Sequence, residues 1–128
     1  MQEDRFNANN PTLSVDLSEA TQAVKENRFE EALTLFEIIL KEHPENIDAL
    51  YLASVSSRYL KKFEDSKKYI EQLLFNAPDM GRAYQELGHI NRDMGNEEKA
   101  AINYRQACEL NPALLSSWNL LHQYFIKN

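Results

Sequence analysis

Catalysis or metal binding in this chain would have to be built on His43, His89, His122 and Cys108. A nucleophile needs a base beside it, and a metal needs several ligands at short spacing. Neither pattern is present. His43 stands beside Pro44, while His89 and His122 are far apart, and Cys108 follows Ala107 in an apolar-periodic run. Cys108 therefore reads as a small core thiol. The three glycines, Gly81, Gly88 and Gly95, do not form a phosphate-cradling loop. The sequence predicts no catalytic residue, no metal site and no cofactor, hence no enzyme. The basic run "LKKFEDSKK" at 60–68 is interleaved with Glu64 and Asp65 and followed by Glu71, which reads as a solvated outer face.

The 128 residues suffice for one domain, and the formal net charge of −6 argues against nucleic-acid binding. The opening stretch "MQEDRFNANNPT" has no apolar run of the kind a signal peptide needs. No stretch approaches the ~20 apolar residues of a membrane span. One cysteine cannot form an internal disulfide. These features predict a cytoplasmic protein without membrane contact. Residues 1–12, polar and without periodicity, are expected to be a disordered tail.

What would position any functional side chain is a repeat. Pro44, Pro78 and Pro112 are 34 residues apart. The same offset aligns Phe36, Ile70 and Tyr104; Ile39, Leu73 and Ala107; and the small residues Ala32, Ser66 and Ala100. It also aligns Ala20, Ser54 and Gly88. A fixed period of this length is the signature of a stacked-repeat architecture. Each unit reads as two helices. In the third they span about 81–94 and 97–110, joined at Gly95–Asn96, with Asn96 as an N-cap. Asn27 with Glu30 reads as a capping box. Gly88, unfavourable in a helix, is expected where two antiparallel helices cross closely.

These residues resemble the tetratricopeptide repeat family. The third unit carries the motif at Tyr84, Leu87, Gly88, Gly95, Ala100, Tyr104, Ala107 and Pro112. The second carries it at Leu50, Ala53, Ser54, Phe63, Ser66, Ile70, Leu73 and Pro78, and the first at Ala20, Phe29, Ala32, Phe36 and Pro44. The first departs at Asp16 and Glu19, which suits an outermost helix; Glu97 and Asn91 depart from the aromatics usual at their positions. The resemblance implies an all-α helical repeat solenoid over 13–128, with a right-handed superhelical twist. It would contain three helix-turn-helix units at about 13–46, 47–80 and 81–114 plus a final helix at 115–127, seven helices in all. The stripe Phe36, Phe63, Tyr104 and Trp118 is expected in the core.

Such solenoids present a concave face built mainly from the first helix of each unit. Spacing places Leu17, Thr21, Val24 and Lys25 there from the first unit. The second adds Asp48, Tyr51, Val55, Arg58 and Tyr59, and the third Arg82, Gln85, His89 and Arg92. Arg58 and Arg92, one repeat apart, are expected to be exposed. With Lys25 and Arg82 they predict a locally basic groove for a protein or peptide partner of acidic character. The family's carboxylate clamp would fall on Leu17, Thr21, Leu52, Arg82 and Glu86; only Arg82 fits, so a co-chaperone role is not expected.

The segments "YLKKF", "GRAYQELGH" and "LNPALLSSWNLL" are also similar to the N-terminal repeats of bacterial tetratricopeptide-repeat sulfotransferases. That resemblance implies a regulatory segment of a larger enzyme as one alternative function. A homo-oligomeric structural adaptor is another. The final helix is apolar nearly all round. Trp118, Leu121 and Phe125 are spaced to face the third unit, leaving Leu120, Tyr124 and Ile126 to pair two copies as a homodimer.

Overall fold

The computed structural model describes residues 16–114 and 118–123. The expected tail at 1–12, and Tyr124, Phe125 and Ile126 of the last helix, lie outside the described residues.

Apolar residues recurring at helical spacing, with one charged side per segment, give six bounded helices. They are α1 Leu17–Lys25, α2 Phe29–Glu42, α3 Ile47–Tyr59, α4 Phe63–Asn76, α5 Gly81–Asp93 and α6 Glu97–Leu110. Residues 118–123 are helical too and are labelled α7. No strand occurs among the described residues. The architecture is the expected all-helical repeat stack.

The turn inside each repeat has one design, used three times. Asn27, Lys61 and Gly95 take the left-handed conformation, with φ of 61°, 63° and 88°. The next residue's amide then reaches back five residues: Arg28 N–H to Ala23 O, Lys62 N–H to Ser57 O and Asn96 N–H to Asn91 O, each at 2.8 Å. This is a Schellman termination, which satisfies carbonyls a helix end would leave bare.

That geometry overturns two capping expectations. Asn27 is the left-handed residue of its turn, so it cannot cap α2 with Glu30. Arg28 and Asn96, which precede α2 and α6, make no side-chain cap bond. The backbone explains it: ψ is 69° and 72° there, against 127° at Asp16 and 114° at Asn46. Among α1–α6 only those two residues accept cap bonds, from Ser18 N–H and Ala49 N–H.

α1, α3 and α5 lie side by side, while α2 and α4 pack on both the helix before and the helix after. Phe36, Ile39, Ile70, Leu73 and Ile90 are fully buried between them. The small residues set how closely each pair crosses. A Cβ on Gly88 would stand 2.5 Å from Tyr104 Cε1 and 2.7 Å from Cδ1, so glycine is what admits the tyrosine ring. In the second repeat Ser54 and Ser66 hold the same crossing by exchanging bonds: Ser54 Oγ donates to Ser66 O at 2.9 Å, and Ser66 Oγ to Ser54 O at 2.7 Å. Asn91 is buried and donates to Asn103 Oδ1 at 2.6 Å.

The start of α7 differs from expectation. Leu121 is buried against Ala100, Ala101 and Tyr104, as its spacing requires, but Leu120 also packs on that cluster, partly buried. Of the stripe expected in the core, Phe63 is only half-buried and Trp118 is 46% exposed. The Trp118 indole N–H donates to Pro112 O at 3.0 Å, which holds the ring along the preceding loop.

Candidate functional site

α1, α3 and α5 lie side by side, and the face they share carries the expected residues with unequal freedom. Lys25 is exposed in the last turn of α1. Tyr51 on α3 is half-buried and Arg82 on α5 is exposed. The Arg82 guanidinium lies over the Tyr51 ring, 4.8 Å from its centroid, and donates from Nη2 to the Tyr51 hydroxyl at 3.3 Å. Val55, Gln85 and His89 are half-buried along the same face. Tyr59 closes α3, 57% exposed, with its ring stacked on Phe29 at 4.6 Å and 4° between planes.

Arg58 is not the exposed cation its spacing suggested. Its side chain is 10% exposed, with Nε donating to Glu86 Oε2 at 2.6 Å and Nη1 to Asp93 Oδ2 at 3.2 Å. The Glu86 carboxylate is 2% exposed. A buried carboxylate demands a partner, because unpaired it would cost several kcal/mol (about 3–5). Burial pushes the Glu86 carboxyl up, and the adjoining Arg58 guanidinium pulls it back down. Glu86 and Asp93 were the residues missed as partners. They sit seven apart on α5, two helical turns along one side, so the spacing shows that they share a side without showing that the side faces α3. Glu86 is neutralised from within, so it neither repels a ligand as a free charge would nor supplies a clamp donor.

Arg92 is exposed but tethered, its Nε donating to Asp93 Oδ1 at 3.1 Å. His89 pairs with Tyr104 on α6, Nδ1 to hydroxyl at 2.9 Å. Burial, then the charges of Arg58 and Arg92, pull the His89 imidazole down to about 4. His89 is therefore neutral at pH 7 and adds no positive charge to the groove. Of the groove cations, Arg82 and Lys25 carry the most accessible charge.

Among the described residues no group of His, Cys, Asp and Glu could hold a metal ion. Among them, too, no helix is long and apolar enough to cross a membrane. Cys108 is buried, and burial pushes its thiol up, the environment of an inert core thiol.

Three helix pairs of 34 residues, each with a small-residue crossing and a Schellman turn, define a class of helical repeat protein. A tetratricopeptide repeat profile matches residues 81–114, and a second profile of the same description matches 17–58. Together they cover more than half the chain, which belongs to the tetratricopeptide repeat family. No curated protein gives a significant sequence match. Among solved structures, the first repeat domain of Spaghetti (RPAP3) bound to the HSP90 peptide SRMEEVD is similar. Its TM-score is 0.80 at 19% identity, over 88% of this chain and 95% of that one. The Arabidopsis OM64 repeat domain gives 0.79 at 15% identity, over 84% and 88%. MamA of Desulfovibrio magneticus RS-1 gives 0.78 at 21% identity; this chain covers 63% of that one and aligns over 87% of its own length. At such identities the likeness is one of fold.

Proposed function

We propose that this chain is a non-enzymatic interaction module that holds an extended acidic peptide or protein segment along the face of α1, α3 and α5. The Tyr51–Arg82 pair carries the reading. An aromatic ring on one repeat supports a guanidinium from the next, and Arg82 makes no ion pair among the described residues. A cation held in place yet electrically unmatched favours a carboxylate-bearing ligand. Val55, Gln85 and His89 beside it offer mixed apolar and polar contact, which suits a main chain and its side chains together. The similar Spaghetti (RPAP3) domain is bound to an acidic peptide, although Leu17, Thr21, Leu52 and Glu86 here lack the donors of a carboxylate clamp. Cytoplasmic residence belongs to the same reading, supported by the one cysteine being buried and free.

The test is fluorescence anisotropy with a panel of labelled extended heptapeptides, acidic ones against lysine-substituted counterparts. Acidic members should bind, more weakly as salt rises, and Arg82→Glu should remove the preference without unfolding the chain. Equal binding by Arg82→Glu would defeat the reading.

A second reading, pairing of two copies through the last helix, is favoured by one observation. Trp118 is exposed, and Leu120 of the same helix borders a pocket of about 200 Å³ lined also by Ala100, Ala101, Tyr104, Arg92, Glu97 and Gln123. Light scattering over a concentration series, with Ile126→Asp alongside, tests it; a wild type that stays monomeric at high micromolar concentration defeats it.

A further inference from the structure

Beyond the Tyr51–Arg82 pair lies a cleft of about 430 Å³, walled by Arg58, Tyr59, Lys61, Phe63, Arg92 and Asp93. Its charges do not cancel. Arg58, Lys61 and Arg92 are positive, and Asp93 with Glu86 behind it supplies two carboxylates, leaving one positive charge over. Hydrogen-bond donors are in excess as well. A guanidinium has five N–H groups. Arg58 directs three at Glu86 and Asp93, and Arg92 directs two at Asp93. Asp93, bonded to both arginines, holds the two guanidiniums toward each other. The Lys61 ammonium has no partner among the described residues.

One feature of the surroundings that would oppose an anion is offset, and one favours it. The carboxyl ends of α3 and α5, which repel one, already carry Arg58 and Arg92 in their last turns. α4 begins at Phe63 on the cleft wall without a side-chain cap, although Glu64 and Asp65 stand in its first turn.

The backbone supplies an independent observation. Lys61 occupies the left-handed turn position that Asn27 and Gly95 occupy in the other repeats. Asparagine and glycine tolerate that conformation, whereas lysine is strained there and gains no local hydrogen bond from its side chain. Strain retained where a better residue is available one repeat away points to a task for the side chain, and this side chain lines the cleft.

We infer that the cleft is an oxyanion subsite, taking a phosphate or carboxylate group carried by the chain bound in the groove. The inference rests on the peptide-groove reading for what bears the oxyanion, so its test uses free anions. Isotope-labelled protein is titrated with sodium phosphate and, separately, sodium acetate, against sodium chloride at matched ionic strength. Amide signals of residues 60–63 and 92–95 are followed. Saturable shifts confined to those residues are expected with at least one oxyanion and not with chloride. Tighter phosphate binding assigns a phosphoryl ligand, and acetate equal or tighter assigns a carboxylate. Lys61→Gly and Arg92→Gln should each weaken binding about tenfold or more, the loss of a hydrogen bond to a charged group. Lys61→Gly should also melt no lower than wild type, since glycine relieves the turn. Shifts that follow ionic strength alike for all three salts would overturn the subsite. So would a folded Lys61→Gly with wild-type affinity, or one that melts lower, which would make the lysine structural. A negative titration leaves the peptide panel to stand alone, and a negative panel leaves the titration to do so.

Discussion

At Gly88, helix propensity and packing pull in opposite directions. Alanine would favour the helix by about 1 kcal/mol. Its methyl, however, would enter the Tyr104 ring, 2.5 Å from the nearest carbon. That ring is buried and its hydroxyl is bonded to His89, so it cannot swing aside freely. Overpacking costs about 1–3 kcal/mol, of which the helix gain offsets about 1 kcal/mol, so Gly88→Ala is expected to destabilise by up to about 2 kcal/mol. The sign should invert when the ring is gone: in a Tyr104→Ala background, Gly88→Ala should stabilise. Urea melts of the four proteins in this cycle check both signs. The glycine was legible because register alone placed it beside Tyr104's helix. The sequestration of Arg58 was not, because register places Arg58 on the concave face without saying that Glu86 reaches across to it.

Between helices, legibility followed chemistry that is local in sequence. Helix lengths and the small-residue crossings could be read from a 34-residue offset. Cap bonds could not, because Asn96 and Asn46 look alike in sequence and differ in ψ, 72° against 114°. At Asn46 the side chain accepts from Ala49 N–H at 3.0 Å, whereas Asn96 makes no such bond. Asn46→Ala is therefore expected to cost about 1 kcal/mol, and Asn96→Ala no more than about 0.5 kcal/mol, the scale of an ordinary surface change. Thermal melts by circular dichroism check the pair; equal losses would mean that both asparagines cap. α7 was half legible: Leu121 turns inward as its spacing requires, while a single indole bond to the Pro112 carbonyl sets Trp118 outward.

Across the whole stack, the second and third repeats share a buried ion pair, Arg58–Glu86, with Asp93 joined to it. Removing one partner strands the other charge, so Arg58→Met or Glu86→Leu alone should cost about 3–5 kcal/mol, and the two together far less than the sum. A double-mutant cycle by urea unfolding checks this; additive losses would mean that the pair is not coupled. Between the first and second repeats the described residues place no ion pair from α1 to α3, and the junction is apolar, formed by residues such as Ala20, Ala23, Ala49 and Ala53. Apolar contact has no preferred direction, whereas a guanidinium fork holds its carboxylate in one plane. The two junctions therefore differ in how they are oriented. The first repeat meets the second through apolar packing, Phe36, Ile39 and the Phe29–Tyr59 stack included, while the third is also keyed to the second by an ion pair. The face they share is thus oriented by charge at one end and by apolar packing at the other. A chain bound there would meet an outline keyed by charge along α3 and α5 and one set by packing along α1.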